Sequence, residues 1–292
     1  MSKFEKIFNK RLRKFHIQRL VVKNKHRERI AKKQGAKIGS SNFTGESILA
    51  EDPNEIEVNT KGFTRLGVVL DEGQINGILA SLEKLECYDG YRPELGTFSS
   101  KEIPGPTQVA NYKREEIVSI KKIMDIANDP KILSFVQKFL HGKPTISALR
   151  CWWSVKGNGT AEHTQLFHRD VDDYKFIKLF IYLTDVSLDN GPHVYVETSA
   201  YDDRFKKIRR LSDTEIEDTY GKDKINYITG KKGEAFLVNT YGIHKGLLPK
   251  EGRRLMLQVR YSINEIGVDN YTPIKAYEEG SYDPYVNRLL IK

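Results

Sequence analysis

Residues 164–173, TQLFHRDVDD, set His168 and Asp170 two apart in a segment of strand character. Side chains at i and i+2 of a strand leave the same face, so an imidazole and a carboxylate are aimed at one point. A second histidine, His244, follows 76 residues later in NTYGIHKG, between two further strand-like runs. Two neutral imidazoles and one carboxylate make up the facial triad that holds a non-haem Fe(II) ion and leaves positions open for other ligands. Ten residues past His244, Arg254 opens RLMLQVRY. Its guanidinium suits bidentate pairing with a cosubstrate carboxylate. Arg253 stands next to it, and strand alternation lets only one of the two face inward. An isolated His-x-Asp carries little information. With a distal histidine and an arginine in this order, on strand segments, it carries much more. The competing reading of His168 is an exposed strand histidine beside a solvated acidic cluster of Asp170, Asp172 and Asp173.

Other residues of the same types read as structural. His163 precedes the strand, in the loop GNGTAEHT, His193 sits in a strand of core character, and His141 ends a helical segment. Trp152 and Trp153 are adjacent on a strand, so one indole faces a barrel interior and the other an outer core. The acidic run DVDD lacks the glycine and glutamate of a calcium-binding loop.

The elements that must position these groups fall into two halves. From Lys61, GFTRLGVVL reads as a strand, and Asp71 as the N-cap of a helix over EGQINGILASLEKL. Residues 89–107 form a Gly- and Pro-rich loop without an element of its own. Helical spacing returns in REEIVSIKKIMDIAND and in PKILSFVQKFL, where Pro130 suits a first turn. From Thr145 the chain becomes a series of short β-branched and aromatic strands separated by turns such as KGNGT, LDNGP and PKEGR. One charged helical insertion at about 199–220 interrupts them. Seven or eight such strands with no helix between them predict a mainly β protein with flanking helices, its core a cupin-like jelly roll or double-stranded β-helix. The expected division is a basic tail at 1–37, a linker at 38–60 and one domain at 61–292. Within that domain the helical part spans 61–144, the jelly roll 145–265 and a C-terminal extension 266–292.

Charge is unevenly spread. Residues 1–37 hold 14 Lys and Arg against Glu5 and Glu28, a net +12, while the whole chain carries +9. The body is therefore close to neutral, which argues against nucleic acid as a partner. Phe4, Ile7, Phe8, Leu12 and Phe15 recur near helical spacing among the basic residues. A cationic amphipathic helix of this kind can rest on an anionic membrane surface, dock on an acidic partner or pack on its own domain. Its charge against the near-neutral body favours a role in location or partner contact, dispensable for catalysis. Two cysteines, Cys87 and Cys151, build no disulfide framework, and no apolar run approaches the ~20 residues of a membrane span. A cytoplasmic location, peripheral to a membrane at most, is expected.

FHRDVDDYKFIKLFIYLTDVSLDNGPHVYVETS and GIHKGLLPKEGRRLMLQVRY resemble the phytanoyl-CoA dioxygenase family of Fe(II)/2-oxoglutarate oxygenases. KGFTRLGVVLDEGQINGIL and DPKILSFVQKFLHGKPTIS resemble its helical N-terminal part, in order. The resemblance covers about residues 61–265 and implies iron on His168, Asp170 and His244, with 2-oxoglutarate as cosubstrate. The family's cosubstrate arginine precedes an aromatic residue by seven positions. Arg254 and Tyr261 keep that interval, which favours Arg254 over Arg253. Relatives often continue GPHVYVxGSH, whereas this chain has GPHVYVETSA, with Ala200 at the histidine. Asp170 is retained where halogenating relatives carry a small residue, which implies hydroxylation. The expected activity is hydroxylation of a small-molecule or carrier-bound metabolite with O2, giving succinate and CO2. The rivals are a jelly-roll binding protein without turnover and an oxidative demethylase of nucleic acid.

Overall fold

FIKLFIY is apolar on both sides of a strand apart from one lysine. In the computed structural model, which describes residues 10–205, 207–278 and 280–292, it forms β7 (Phe176–Tyr182), buried along its whole length. Strand β12 (Arg253–Ser262) pairs with one edge of β7 and β10 (Glu234–Val238) with the other. Outward from β10 lies β1 (Phe63–Val68). Outward from β12 lie β5 (Thr145–Val155), β4 (Val109–Tyr112), β2 (Glu86–Tyr88) and β3 (Thr97–Ser99), completing an eight-stranded sheet. A four-stranded sheet faces it, in the order β6 (His168–Arg169), β11 (Ile243–Gly246), β8 (His193–Val196), β9 (Ile225–Ile228). All pairings within the two sheets are antiparallel. This is the mainly β, double-stranded β-helix expected from the sequence.

Strand alternation divides the packing. Phe180, Tyr182, Tyr195, Phe236 and Met256 fill the space between the sheets. Residues one position away, such as Leu149, Leu179 and Leu257, join the larger core beneath the helices. Those helices include α1 (Lys10–Leu20), α2 (Asn24–Ile38), α3 (Glu55–Thr60) and α4 (Glu72–Leu82), the last opened by a capping box between Asp71 and Gln74. REEIVSIKKIMDIAND, read as one helix, divides at Ser119 and Ile120 into α5 (Arg114–Val118) and α6 (Lys121–Ala127). Helix α7 (Pro130–Leu140) starts at Asp129 and ends on His141 in the left-handed conformation. Among the described residues of the charged insertion only α8 (Asp213–Tyr220) is helical. The loop at 89–107 is not without structure, since it contributes β3 and a 3-10 turn at Pro93–Leu95.

The basic N-terminal segment corrects an expectation. Phe4, Ile7 and Phe8 lie outside the described residues, but α1 and α2 pack on the domain instead of standing apart as a tail. Phe15 and Ala31 are buried, and Gly35 approaches His141 so closely that a Cβ would collide with its carbonyl. Gln18 donates to the Val171 carbonyl at 2.7 Å. Arg27 is buried, donates to the Asp173 carbonyl and lies over the Tyr241 ring at 4.0 Å. Tyr241 returns a hydrogen bond to Val22 at 2.9 Å. This packing gives no support to a membrane or acidic-partner role. Among the described residues no helix is long and apolar enough to cross a membrane.

Candidate metal centre

Strands β6 and β11 set His168 directly opposite His244, and the ring centroids stand 4.3 Å apart. Each imidazole donates from Nδ1 to the carbonyl two residues earlier, Leu166 for His168 and Gly242 for His244, both at 2.9 Å. These bonds fix the tautomer and leave both Nε2 lone pairs free. Asp170 follows β6, with its backbone N–H on the Thr240 carbonyl at 3.0 Å. Its Oδ1 lies 3.6 Å from His168 Nε2 and its Oδ2 3.4 Å from His244 Nε2. One ligand atom from each of the three residues lies within 4.8 Å of the others. A single ion bound at roughly 2.1 Å to each brings such atoms about 3 Å apart, so only small side-chain adjustments separate this geometry from coordination.

The electrostatics fit a cation. Burial, together with the neighbouring His244, pushes the His168 imidazole down to about 3, so it is neutral with a lone pair to give. Burial alone would raise the Asp170 carboxyl, yet Lys178 and His244 hold it well below the ordinary carboxylate range. Lys178 is the single charge in FIKLFIY. Its Nζ is 2.5 Å from Asp170 Oδ2 and 3.5 Å from Asp172 Oδ2. Arg260, across from Lys178 on β12, pairs with Asp172 and Asp269.

Arg254 faces the interior. It is 3% exposed, its Nη2 is 2.9 Å from Ser154 Oγ, and its Nη1 donates to the Gly191 carbonyl. Among the described residues it has no carboxylate partner, and its Nε is buried without a hydrogen bond. Arg253 faces out, over the Trp153 ring at 4.1 Å, donating to the Ser100 carbonyl at 2.7 Å. Trp152 turns in and shares Ser154 Oγ at 3.2 Å, whereas Trp153 turns out to Tyr112 Oη at 3.0 Å. A buried guanidinium with an open N–H and no counterion beside a donor cluster fits a dicarboxylate reaching from the cluster to the arginine. The residues present therefore fit both a metal ion and an acidic cosubstrate.

Sequence reasoning missed two residues. Lys178 left a signal, a lone lysine in a strand otherwise apolar on both faces. His193, read as a core histidine, is buried, but its ring is stacked on His244 with centroids 5.3 Å apart. Of the others, His163 is stacked on Tyr91 at 3.8 Å and His141 contacts Glu28, both away from the cluster.

The model of the family described as Phytanoyl-CoA dioxygenase (PhyH) matches residues 58–247. Among solved structures, HygX from Streptomyces hygroscopicus, with nickel, 2-oxoglutarate and hygromycin B bound, shares 17% identity. The match covers 77% of this chain and 91% of that one, with a TM-score of 0.51. EctD from S. alaskensis with bound Fe shares 13% identity over 87% of this chain and 91% of that one, with a TM-score of 0.54. SnoK, a non-heme alpha ketoglutarate dependent carbocyclase from nogalamycin biosynthesis, shares 16% identity over 76% and 86%, with a TM-score of 0.51. At these identities the likeness is one of fold. No curated protein matches the chain.

Proposed function

The chain belongs to the phytanoyl-CoA dioxygenase family of Fe(II)- and 2-oxoglutarate-dependent oxygenases, and we propose that it hydroxylates a small-molecule or carrier-bound metabolite. The observation that carries this reading is the convergence of His168, Asp170 and His244, with both Nδ1 atoms held by backbone carbonyls and both Nε2 atoms turned toward the carboxylate. When bound, iron and 2-oxoglutarate supply the oxidising power, one atom of O2 going to the substrate and one to succinate, with release of CO2.

The chain's own part is positioning. His168 and His244 present their Nε2 atoms, each ring held in place by the backbone carbonyl behind it. Lys178 holds one Asp170 oxygen and leaves the other to ligate. Arg254, braced by Ser154 and Gly191, takes the far carboxylate of the cosubstrate. Phe180, Tyr182 and Phe236 keep the interior dry, which strengthens each of these charge interactions. Retention of Asp170 supports hydroxylation over halogenation, since the carboxylate fills the position a halide would need.

The test is turnover under labelled O2 with purified protein, Fe(II), 2-oxoglutarate and fractionated metabolite extract. One labelled oxygen atom in the product, matched to succinate, is the expected result. Succinate formed with an unlabelled, cyclised or epimerised product would refute hydroxylation. No succinate under any fraction would favour a binding protein without turnover.

A further inference from the structure

His193 is the buried polar group of the site that the reaction above does not use. It stands on β8 opposite Gly246 of β11, two residues along from His244. Its ring lies against His244 at an interplanar angle of 23°, and Phe180 and Phe236 close its other sides at 4.9 and 5.7 Å. The residue is 4% exposed, and Nε2 has no partner among the described residues. A buried ring nitrogen left unpaired is costly, so such an atom points to a ligand group that meets it. In either protonation state the ring carries an N–H to give.

Gly246 is a second, independent observation. A Cβ there would lie 3.5 Å from Arg254 Nη2, an ordinary contact distance, so the guanidinium sits beside the strand two residues past His244. Gly246 thus lies between His244 and Arg254, and His193 flanks it from the paired strand β8. The stack on His244 puts the His193 ring at the histidine end of this stretch.

We propose that His193 is a positioning residue for the cosubstrate, its Nε2–H donating a hydrogen bond to the metal-side 2-oxo and carboxylate end of 2-oxoglutarate. The proposal rests on the oxygenase reading, and its test separates the two. Wild type, His193→Phe, His193→Met and His193→Gln are loaded with Fe(II) without oxygen and titrated with 2-oxoglutarate. The readouts are the dissociation constant and the visible charge-transfer band of the chelated cosubstrate. Loss of a hydrogen bond at the 2-oxo group raises the acceptor orbital and moves that band to higher energy. His193→Phe and His193→Met should weaken 2-oxoglutarate roughly five- to tenfold and shift the band. His193→Gln, which keeps a donor, should recover most of both, and Fe(II) binding should stay near wild type in all three. An unchanged constant and band in the apolar variants overturns the proposal, and a weaker constant with an unmoved band overturns the metal-side assignment. If His193→Phe also loses iron, the isosteric misfit of the ring is at fault and His193→Met decides. A wild type that develops no band overturns the oxygenase reading instead.

Discussion

Arg254→Ala removes a guanidinium that is 3% exposed, braced by Ser154 Oγ at 2.9 Å and by the Gly191 carbonyl, and that pairs with no carboxylate among the described residues. A buried charge without its partner destabilises the fold that holds it, so the free protein should tolerate the loss well. The bound state should not. Removing one member of a buried, hydrogen-bonded charge pair costs about 2–5 kcal/mol. At about 1.4 kcal/mol per factor of ten, the 2-oxoglutarate dissociation constant rises roughly 30-fold to several-thousand-fold. Iron affinity should change little, since the three donors are held by β6, β11 and Lys178. The assay is anaerobic titration of 2-oxoglutarate followed by tryptophan emission. Trp152 is a built-in reporter, because its Nε1 shares Ser154 Oγ with Arg254 at 3.2 Å. Arg253→Ala is the control. Its side chain lies outside, on Trp153 and Ser100, and its loss should move the constant by less than about twofold. If Arg253→Ala weakened the cosubstrate and Arg254→Ala did not, the reasoning would be refuted, and with it the inward register of β12.

Lys178→Met leaves Asp170 partly buried without its cation, and Fe(II) affinity should fall roughly 10- to 100-fold in a metal titration; an unchanged affinity would show that Lys178 does not hold the ligand carboxylate. The metal-free protein should lose stability in acid. The folded value of His168, about 3, lies below the ordinary ~6.5, so its contribution is whole above pH 6.5 and declines as pH falls toward 3. At pH 5 the loss is about 2 kcal/mol, measurable by denaturant unfolding at pH 7 and pH 5; equal midpoints would contradict it. Deleting residues 1–40 removes the buried Phe15 and the Gln18 and Arg27 bonds to the segment after Asp170. That is at least about 3 kcal/mol, or roughly 6–12 °C in Tm, with weaker metal binding. A truncated chain with wild-type melting and iron affinity would restore the view of this segment as a dispensable tail.

What was legible in the sequence was whatever local chemistry decides. Asp71 at an N-cap, Pro130 in a first turn and His141 at a helix end could be read because each depends on bonds within a few residues. The alternation of RRLMLQVRY separates Arg254 from Arg253 because the pleat repeats every two residues. The spacing of His168 and Asp170 could be read in the same way, although β6 is only two residues long and Asp170 reaches the cluster from the turn beyond it. The rest depends on what meets what across the chain. Helices α1 and α2 look like a soluble cationic tail until Val171, Asp173 and Tyr241 are placed beside them. The pattern of REEIVSIKKIMDIAND persists through Ser119 and Ile120, where the chain turns between two helices. His193 is apolar in its surroundings and polar in its role, and only the stack on His244 reveals the second.

Strand β12 occupies the middle of the large sheet, between β7 and β5, yet among the described strands it comes last in chain order, after all its neighbours in that sheet have been made. While the earlier strands emerge, β5 and β7 have no partner for their facing edges across a slot about 10 Å wide. Such edges invite pairing with other chains. Closing the slot joins Leu257 to Cys151 and to Ile181, contacts distant in sequence and therefore slow to form. The same event delivers Arg254. Sheet closure and the proposed cosubstrate arginine thus arrive together, and a nascent chain stopped short of Arg253 is an open, adhesive sheet instead of a weakened enzyme.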